Sequence, residues 1–452
     1  MAKRRIRKKR LIKLILIVFV FALLIGFAST KIDFKKAPND DQTGENNKVN
    51  EGEDKEENKE PVKTEILVGI TEKGEQNSDI VEEYFSNGMS VDDYKNVLIR
   101  EQNYVTSEGD YEQLSYNFEE KYHYSYFEEI FNKLNKSDIV KLEIIGKSVD
   151  GRNLYSLEIG TGKDVTVFEA GIHSGESASP LFITKFMIDI VNSYENGDED
   201  TINLLKNNKI VVLPFANPDG YEVSFFGKDA LNNKDLFLAN YDDDDLIIIK
   251  SNANGVDLNR NFPSQTSGLY YSMYNLHYSV SKNQTNNVRK YFPGSTLGSE
   301  PETRAIMYLQ NKWIENLKSY VALHSAGRVI YNGKPYLSDE YNNTSHSCAN
   351  IVGNITGYTV LSKADEEAGE GNDGTSSEYM AESLSGFLFS TETGRLSSDY
   401  YAKKYDEMKY HNTCVIVIEA LERYTINLDT IKNEYYNHDL AKAYLAVIKR
   451  EK

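Results

Sequence analysis

Val165-Thr166-Val167-Phe168-Glu169-Ala170 runs into Gly171-Ile172-His173-Ser174-Gly175-Glu176, and an apolar stretch over 180–194 follows with Pro180 in its first turn. A short apolar run rich in β-branched residues and closed by glycine reads as a buried strand. Proline in the first turn of the next stretch marks the start of a helix. The same alternation continues in both directions. Upstream lie a helix over 124–134 and strands over 140–145 and 154–159, joined by the turn-rich Val149-Asp150-Gly151-Arg152. Downstream come a strand over 210–215, a helix over 301–313, strands over 320–323 and 386–390, and a long helical region interrupted around 425–430. Continuous apolar strands alternating with helices predict an α/β fold, with a mixed, mostly parallel central sheet and helices on both faces. In such sheets the site lies beyond the carboxyl ends of the strands.

The rest of the chain sorts by composition. It has 452 residues, 40% hydrophobic and 27% charged, enough to bury a core in one large domain. A net charge of −18, from 51 Lys and Arg against 69 Asp and Glu, argues against nucleic acid as a partner. Residues 1–13 run against that balance with eight basic residues and no acid, and Leu14 opens fifteen uninterrupted apolar residues ending at Ala28. Residues 1–30 are therefore read as a membrane-directing segment that sends the bulk of the chain out of the cytoplasm. The heavy basic cluster favours an uncleaved single-pass anchor. A signal peptide cut after Gly26-Phe27-Ala28 is the alternative, giving a secreted protein. Residues 31–65 read as an acidic, solvated linker. Residues 66–115 form a small extension of undetermined fold, and the catalytic domain is expected over 116–452. Cys348 and Cys414 exclude a disulfide scaffold, leaving one bridge or none.

Chemistry gathers at the strand ends. His173 and Glu176 follow one strand in a His-x-x-Glu pair, and His324 ends another in Ala322-Leu323-His324-Ser325. Two histidines and a glutamate are a sufficient zinc set with a fourth position open for water. The motif alone is weak, because a lone histidine is more often a hydrogen-bonded structural residue. A serine hydrolase built on Ser174 or Ser325 is poor, as neither lies in a Gly-x-Ser-x-Gly elbow.

Further segments follow in order. They are Ile144-Ile145-Gly146-Lys147-Ser148-Val149-Asp150-Gly151-Arg152, Asn217-Pro218-Asp219-Gly220, Asn254-Gly255-Val256-Asp257-Leu258-Asn259-Arg260-Asn261-Phe262-Pro263, Gly298-Ser299-Glu300-Pro301-Glu302-Thr303-Arg304-Ala305 and Phe389-Ser390-Thr391-Glu392-Thr393-Gly394. Together they resemble the zinc carboxypeptidase family over roughly residues 116–425. The resemblance implies one Zn2+ held by His173, Glu176 and His324, with Glu392 as general base. It implies that Asn259 and Arg260 hold the substrate's terminal carboxylate, for which a planar guanidinium fork is suited. Asn217 and Asp219 read as turn-forming residues, and Glu300 and Glu302 as helix N-terminal acids favoured by the dipole.

This chain departs from the family twice. Lys250 is the nearest counterpart of the arginine that many relatives place upstream for the oxyanion; it supplies charge without a fork, and a solvated surface lysine is the alternative reading. The family's mobile tyrosine has no clear match, since the gap-free position falls near Glu370 and Tyr379 suits a place behind the pocket. Thr375-Ser376-Ser377 is small and polar where relatives read the terminal side chain, and Glu370, Asp373 and Glu378 would favour a cationic group. The expected activity is that of an exported metallocarboxypeptidase on peptides with a free C-terminal carboxylate. Cell-wall stem peptides, at the γ-D-glutamyl–diamino acid bond, are one such substrate. The alternative is a catalytically silent peptide- or wall-binding protein of the same fold.

Overall fold

The computed structural model describes residues 101–233, 249–263, 292–294, 298–333, 339–361, 375–384 and 412–450. The basic and apolar N-terminus, the linker, the strand expected at 386–390, the acidic loop with Glu370 and Asp373, and Glu392 all lie outside the described residues. No helix among the described residues is long and apolar enough to cross a membrane.

In chain order the elements are α1 (Tyr124–Leu134), β1 (Val140–Lys147), β2 (Asn153–Ile159), β3 (Asp164–Ala170), α2 (Ala178–Glu195), α3 (Glu199–Asn207), β4 (Asn208–Leu213) and α4 (Pro218–Phe226). They continue with α5 (Pro301–Trp313), β5 (Leu317–Ser325), β6 (Val329–Asn332), α6 (Asp339–Thr356), β7 (Thr359–Val360), α7 (Ser376–Leu384), β8 (Cys414–Ala420), α8 (Leu428–Asn437) and α9 (Leu440–Lys449). The sheet has eight strands in the order β1-β2-β4-β3-β5-β8-β6-β7. The central β4, β3, β5 and β8 are mutually parallel, while β1, β2 and β6 join antiparallel. This is the mixed sheet that the sequence predicts.

Each central strand is apolar on both faces because each face has its own core. Phe168 and Ala170 of β3, Ile210 and Val212 of β4, Val321 and Leu323 of β5 and Ile416 and Ile418 of β8 bury with α1, α2, α8 and α9. The alternate residues Val165, Val167, Val211, Leu213, Tyr320, Ala322 and Val415 bury with α5 and α7. The period-2 alternation of a strand thereby reads as an unbroken apolar run.

Some expectations need correction. The C-terminal region is not simply an interrupted helix: Cys414–Ala420 is a central strand, and helix begins only at Leu428, capped by Asn427 accepting from the Thr430 N–H. Helix α2 starts two residues before Pro180. The extension over 66–115, whose fold the sequence leaves undetermined, runs in its described part along the outer edge of β1, where the Val105 N–H donates to Leu142 O at 2.8 Å and the Ile144 N–H to Asn103 O at 2.9 Å. Cys348 and Cys414 are both free and buried.

Candidate active site

Four parallel strands end along one edge, and the loops leaving them carry the polar residues. The turn after β3 needs glycine at 171: φ is +69°, and a Cβ there would lie 2.6 Å from Pro180 Cγ. That turn delivers His173. Its loop is pinned from the neighbouring segment, where Ser174 Oγ and the Gly175 N–H both donate to Ile249 O at 2.7 Å. Asn217, capping α4 after β4, donates to Ile172 O at 3.3 Å and Ser251 O at 3.1 Å. It thus ties the His173 loop to the Lys250 loop, which agrees with its reading as a structural residue.

His173, Glu176 and His324 are 4%, 2% and 3% exposed. One donor atom from each lies within 4.8 Å of the others, the one such group among the described residues. His173 Nδ1 is 2.7 Å from Glu176 Oε1, and His324 Nδ1 is 2.8 Å from Glu176 Oε2. The Ser325 N–H donates to that second oxygen at 3.1 Å. The other nitrogen of His173, Nε2, is 3.2 Å from Asp257 Oδ1. A carboxylate there holds the ring in the tautomer whose Nδ1 lone pair faces the cluster, as is usual for metal-ligating histidines. Burial favours the neutral form of Glu176, but His173, Lys250 and His324 hold its carboxyl well below the usual range. Burial likewise opposes ionisation of Asp257, which His173 more than offsets, so its pKa is also lowered. Two imidazoles and an ionised carboxylate, with no fourth protein donor among the described residues, fit the ligand set of a catalytic zinc ion.

Asp257 escaped the sequence reading as a functional residue, although it stands inside the quoted motif. Its role depends on a contact across 84 residues that spacing does not reveal. The segment around it is a tight turn. Asn252 Oδ1 accepts from the Asn254 and Val256 N–H groups at 3.1 Å, and Asn252 Nδ2 donates to Glu300 at 2.7 Å and Glu302 at 3.1 Å. Glu300 and Glu302 stand at the N-terminus of α5 as the sequence predicts, Glu300 as its N-cap and Glu302 in its first turn. Both are buried, and they clamp the loop that bears Lys250 at one end and Arg260 at the other. Asp219, as expected, is structural. It accepts from Ser148 Oγ at 2.8 Å, the Asp150 N–H at 3.0 Å and Arg152 at 2.8 Å, locking the turn between β1 and β2 to α4.

Lys250 Nζ sits 3.1 Å from Glu176 Oε1 and 3.5 Å from His173 Nδ1. Burial alone would lower its pKa, but the Glu176 carboxylate outweighs burial and the net shift is upward. Arg260 donates to Asn259 O at 2.6 Å and is largely buried. Asn259 Oδ1 accepts from the Ser376 N–H at 2.9 Å, which turns the amide so that its NH2 remains a donor. Thr375 and Ser377 are buried, with their hydroxyls 3.2 Å apart. The structure thus brings His173, Glu176, His324 and Lys250 into one cluster. Asp257 joins it through His173 Nε2, and Arg260 reaches it electrostatically.

Glu419 was not singled out from sequence. It lies near the carboxyl end of β8 in parallel register with His324, so the two side chains leave the same face of the sheet. Part of its surface is open. Burial and then the Glu176 carboxylate push its pKa up to about 7, against His324, Lys250 and Arg260. The signal in the sequence was Cys414-Val415-Ile416-Val417-Ile418-Glu419, an apolar run ending in an acid, much as Val321-Ala322-Leu323-His324 ends in a ligand.

A family model described as zinc carboxypeptidase matches residues 127–413. Among curated proteins, the chain is 29% identical over 207 residues to the carboxypeptidase N catalytic chain of Mus musculus, covering 44% of this chain and 40% of that one. It is 28% identical over 234 residues to gamma-D-glutamyl-L-diamino acid endopeptidase 1 of Lysinibacillus sphaericus, covering 50% and 54%. The match thus spans about half or less of these relatives' length. Among solved structures, bovine thrombin-activatable fibrinolysis inhibitor in complex with tick carboxypeptidase inhibitor superposes with a TM-score of 0.50 at 19% identity, over 74% of this chain and 99% of that one. At that identity the likeness speaks to the fold.

Proposed function

The chain belongs to the zinc carboxypeptidase family, and we propose that it is a zinc-dependent peptidase that hydrolyses a peptide bond beside a free C-terminal carboxylate. The observation that carries this reading is the buried convergence of His173, Glu176 and His324, with Asp257 behind His173. Zinc at such a site supplies Lewis acidity and brings the pKa of water toward neutrality. The chain's own residues supply the rest. Arg260 and the Asn259 amide hold the substrate carboxylate, Arg260 by charge and the amide by its oriented NH2. Lys250 places a positive charge beside the developing oxyanion.

Proton transfer is assigned to Glu419, which takes a proton from the attacking water and returns it to the leaving amine. Its shared face with His324 and its pKa of about 7 suit both halves of that task. Glu392, matched by motif order alone, is the comparison to be tested beside it.

For substrate we propose cell-wall stem peptides at a γ-D-glutamyl–diamino acid bond. The Lysinibacillus relative, the small polar Thr375-Ser376-Ser377 and the acids around it support this. Export by residues 1–30, with the catalytic part outside the cytoplasm and tethered to the membrane, belongs to the same proposal. The test is hydrolysis of such a peptide against its C-terminally amidated analogue. Cleavage of the free acid is expected, with loss of roughly 2–5 kcal/mol in kcat/KM for Arg260→Ala. Equal cleavage of the amidated peptide would remove the role given to Arg260.

A further inference from the structure

We propose that Tyr424 is a positioning residue that holds the Lys250 ammonium beside the reacting carbonyl; this rests on the role given above to Lys250. Tyr424 follows β8 by four residues, which brings its phenol beside the Lys250 ammonium, near enough for the two groups to influence each other's ionisation. The Tyr424 ring centroid is 6.0 Å from Lys250 Nζ. On the other side, the ammonium is 3.1 Å from Glu176 Oε1.

The physical need follows from the residue type. A lysine carries a point charge on a flexible four-carbon stem, whereas an arginine presents a rigid fork that locates itself by two parallel bonds. A cation held by Glu176 repels an ammonium lying on the same carboxylate. Lys250 therefore requires an acceptor beyond the ligands, one that keeps it near the reacting centre without competing for the ion. A neutral phenol oxygen meets that need. Burial, then Glu176, push the Tyr424 hydroxyl up to about 12, so it stays protonated under physiological conditions. The Tyr424 side chain also lines a surface cleft of about 740 Å3 with Phe118, Asn427, Leu428 and Lys432.

The test uses the full chain and Tyr424→Phe, which keeps the ring and removes the hydroxyl. The first readout is acetylation of Lys250 by an amine-reactive anhydride, mapped by mass spectrometry, with the ion-paired Lys312 as internal control. Labelling of Lys250 is expected to rise several-fold in the variant, with Lys312 unchanged. The second is kinetic, on a stem tripeptide ending in a free diamino acid. A fall in kcat of about tenfold is expected with KM within about twofold, since displaced catalytic groups cost rate rather than binding. Tyr424→Phe should add nothing further in a Lys250→Ala background, where the group to be positioned is gone. Unchanged labelling, unchanged kcat, or losses that multiply in the double variant would each overturn the proposal. A parent chain that hydrolyses no free-acid peptide while Lys250 labelling still rises would leave the contact standing and remove the peptidase reading instead.

Discussion

Glu419 and His324 stand opposite one another in the parallel pairing of β8 and β5 and project from the same face of the sheet. One strand thus presents a metal ligand and its neighbour a carboxylate, both near the carboxyl ends. The pairing needs no special loop. It follows from register and alternation alone, and so from the apolar residues that fix both strands in the core.

Replacing Glu419 by Gln keeps the shape and hydrogen-bonding reach but removes the proton acceptor. A general base contributes roughly 10²–10⁴-fold, so kcat should fall by that factor while zinc content is unchanged. Glu392→Gln, assayed in parallel, should lose far less. The reverse ranking would move the base role to Glu392.

Asp257 should act on the metal through His173. With Asp257→Asn the carboxylate that orients His173 Nε2 at 3.2 Å becomes a neutral amide. Outer-shell changes of this kind cost about 10–100-fold in metal affinity, measurable by competition with a chromophoric chelator. Unaltered affinity would make Asp257 merely a support for the loop, through the Asn259 N–H that it accepts at 3.0 Å.

Glu302 links the loop clamp to pH. Burial, then Asp219 and Glu300, push its carboxyl from the ordinary 4.5 up to about 8. The folded chain therefore holds a proton that the unfolded chain releases, and stability falls as pH rises from about 4.5 to about 8, then levels off. Below that window the contribution is fully present. Melting temperature followed across it should decline less steeply in Glu302→Gln than in the parent. An equal slope in both would place the proton elsewhere.

Much of this architecture was legible in the sequence, for reasons that particular residues make plain. Helices α1 and α5 were bounded as observed, because each is strongly amphipathic and α5 opens on Pro301. The three ligands were legible because each follows or ends a strand whose apolar run is unmistakable. Strand β8 was not: its β-branched run is short, and the sequence downstream of it is helical, so the two merged into one helical reading. Losing that strand hid Glu419. Helix α6 also went unread, for its Asn-, Ser- and Thr-rich sequence carries only a sparse apolar stripe. Asp257, Glu302 and Tyr424 act through partners 50 to 174 residues away, and no local pattern encodes such contacts.

His173, Glu176 and His324 should together hold one zinc ion. Elemental analysis of the purified full chain, beside Glu176→Gln and His324→Ala, measures this. One zinc per parent chain is expected, less than a tenth of that in either variant at matched chelator exposure (a loss of at least about 1.4 kcal/mol in affinity), and hydrolysis abolished by chelation and restored by zinc. A parent chain that hydrolyses free-acid peptides without zinc, or variants that retain the metal in full, would contradict it.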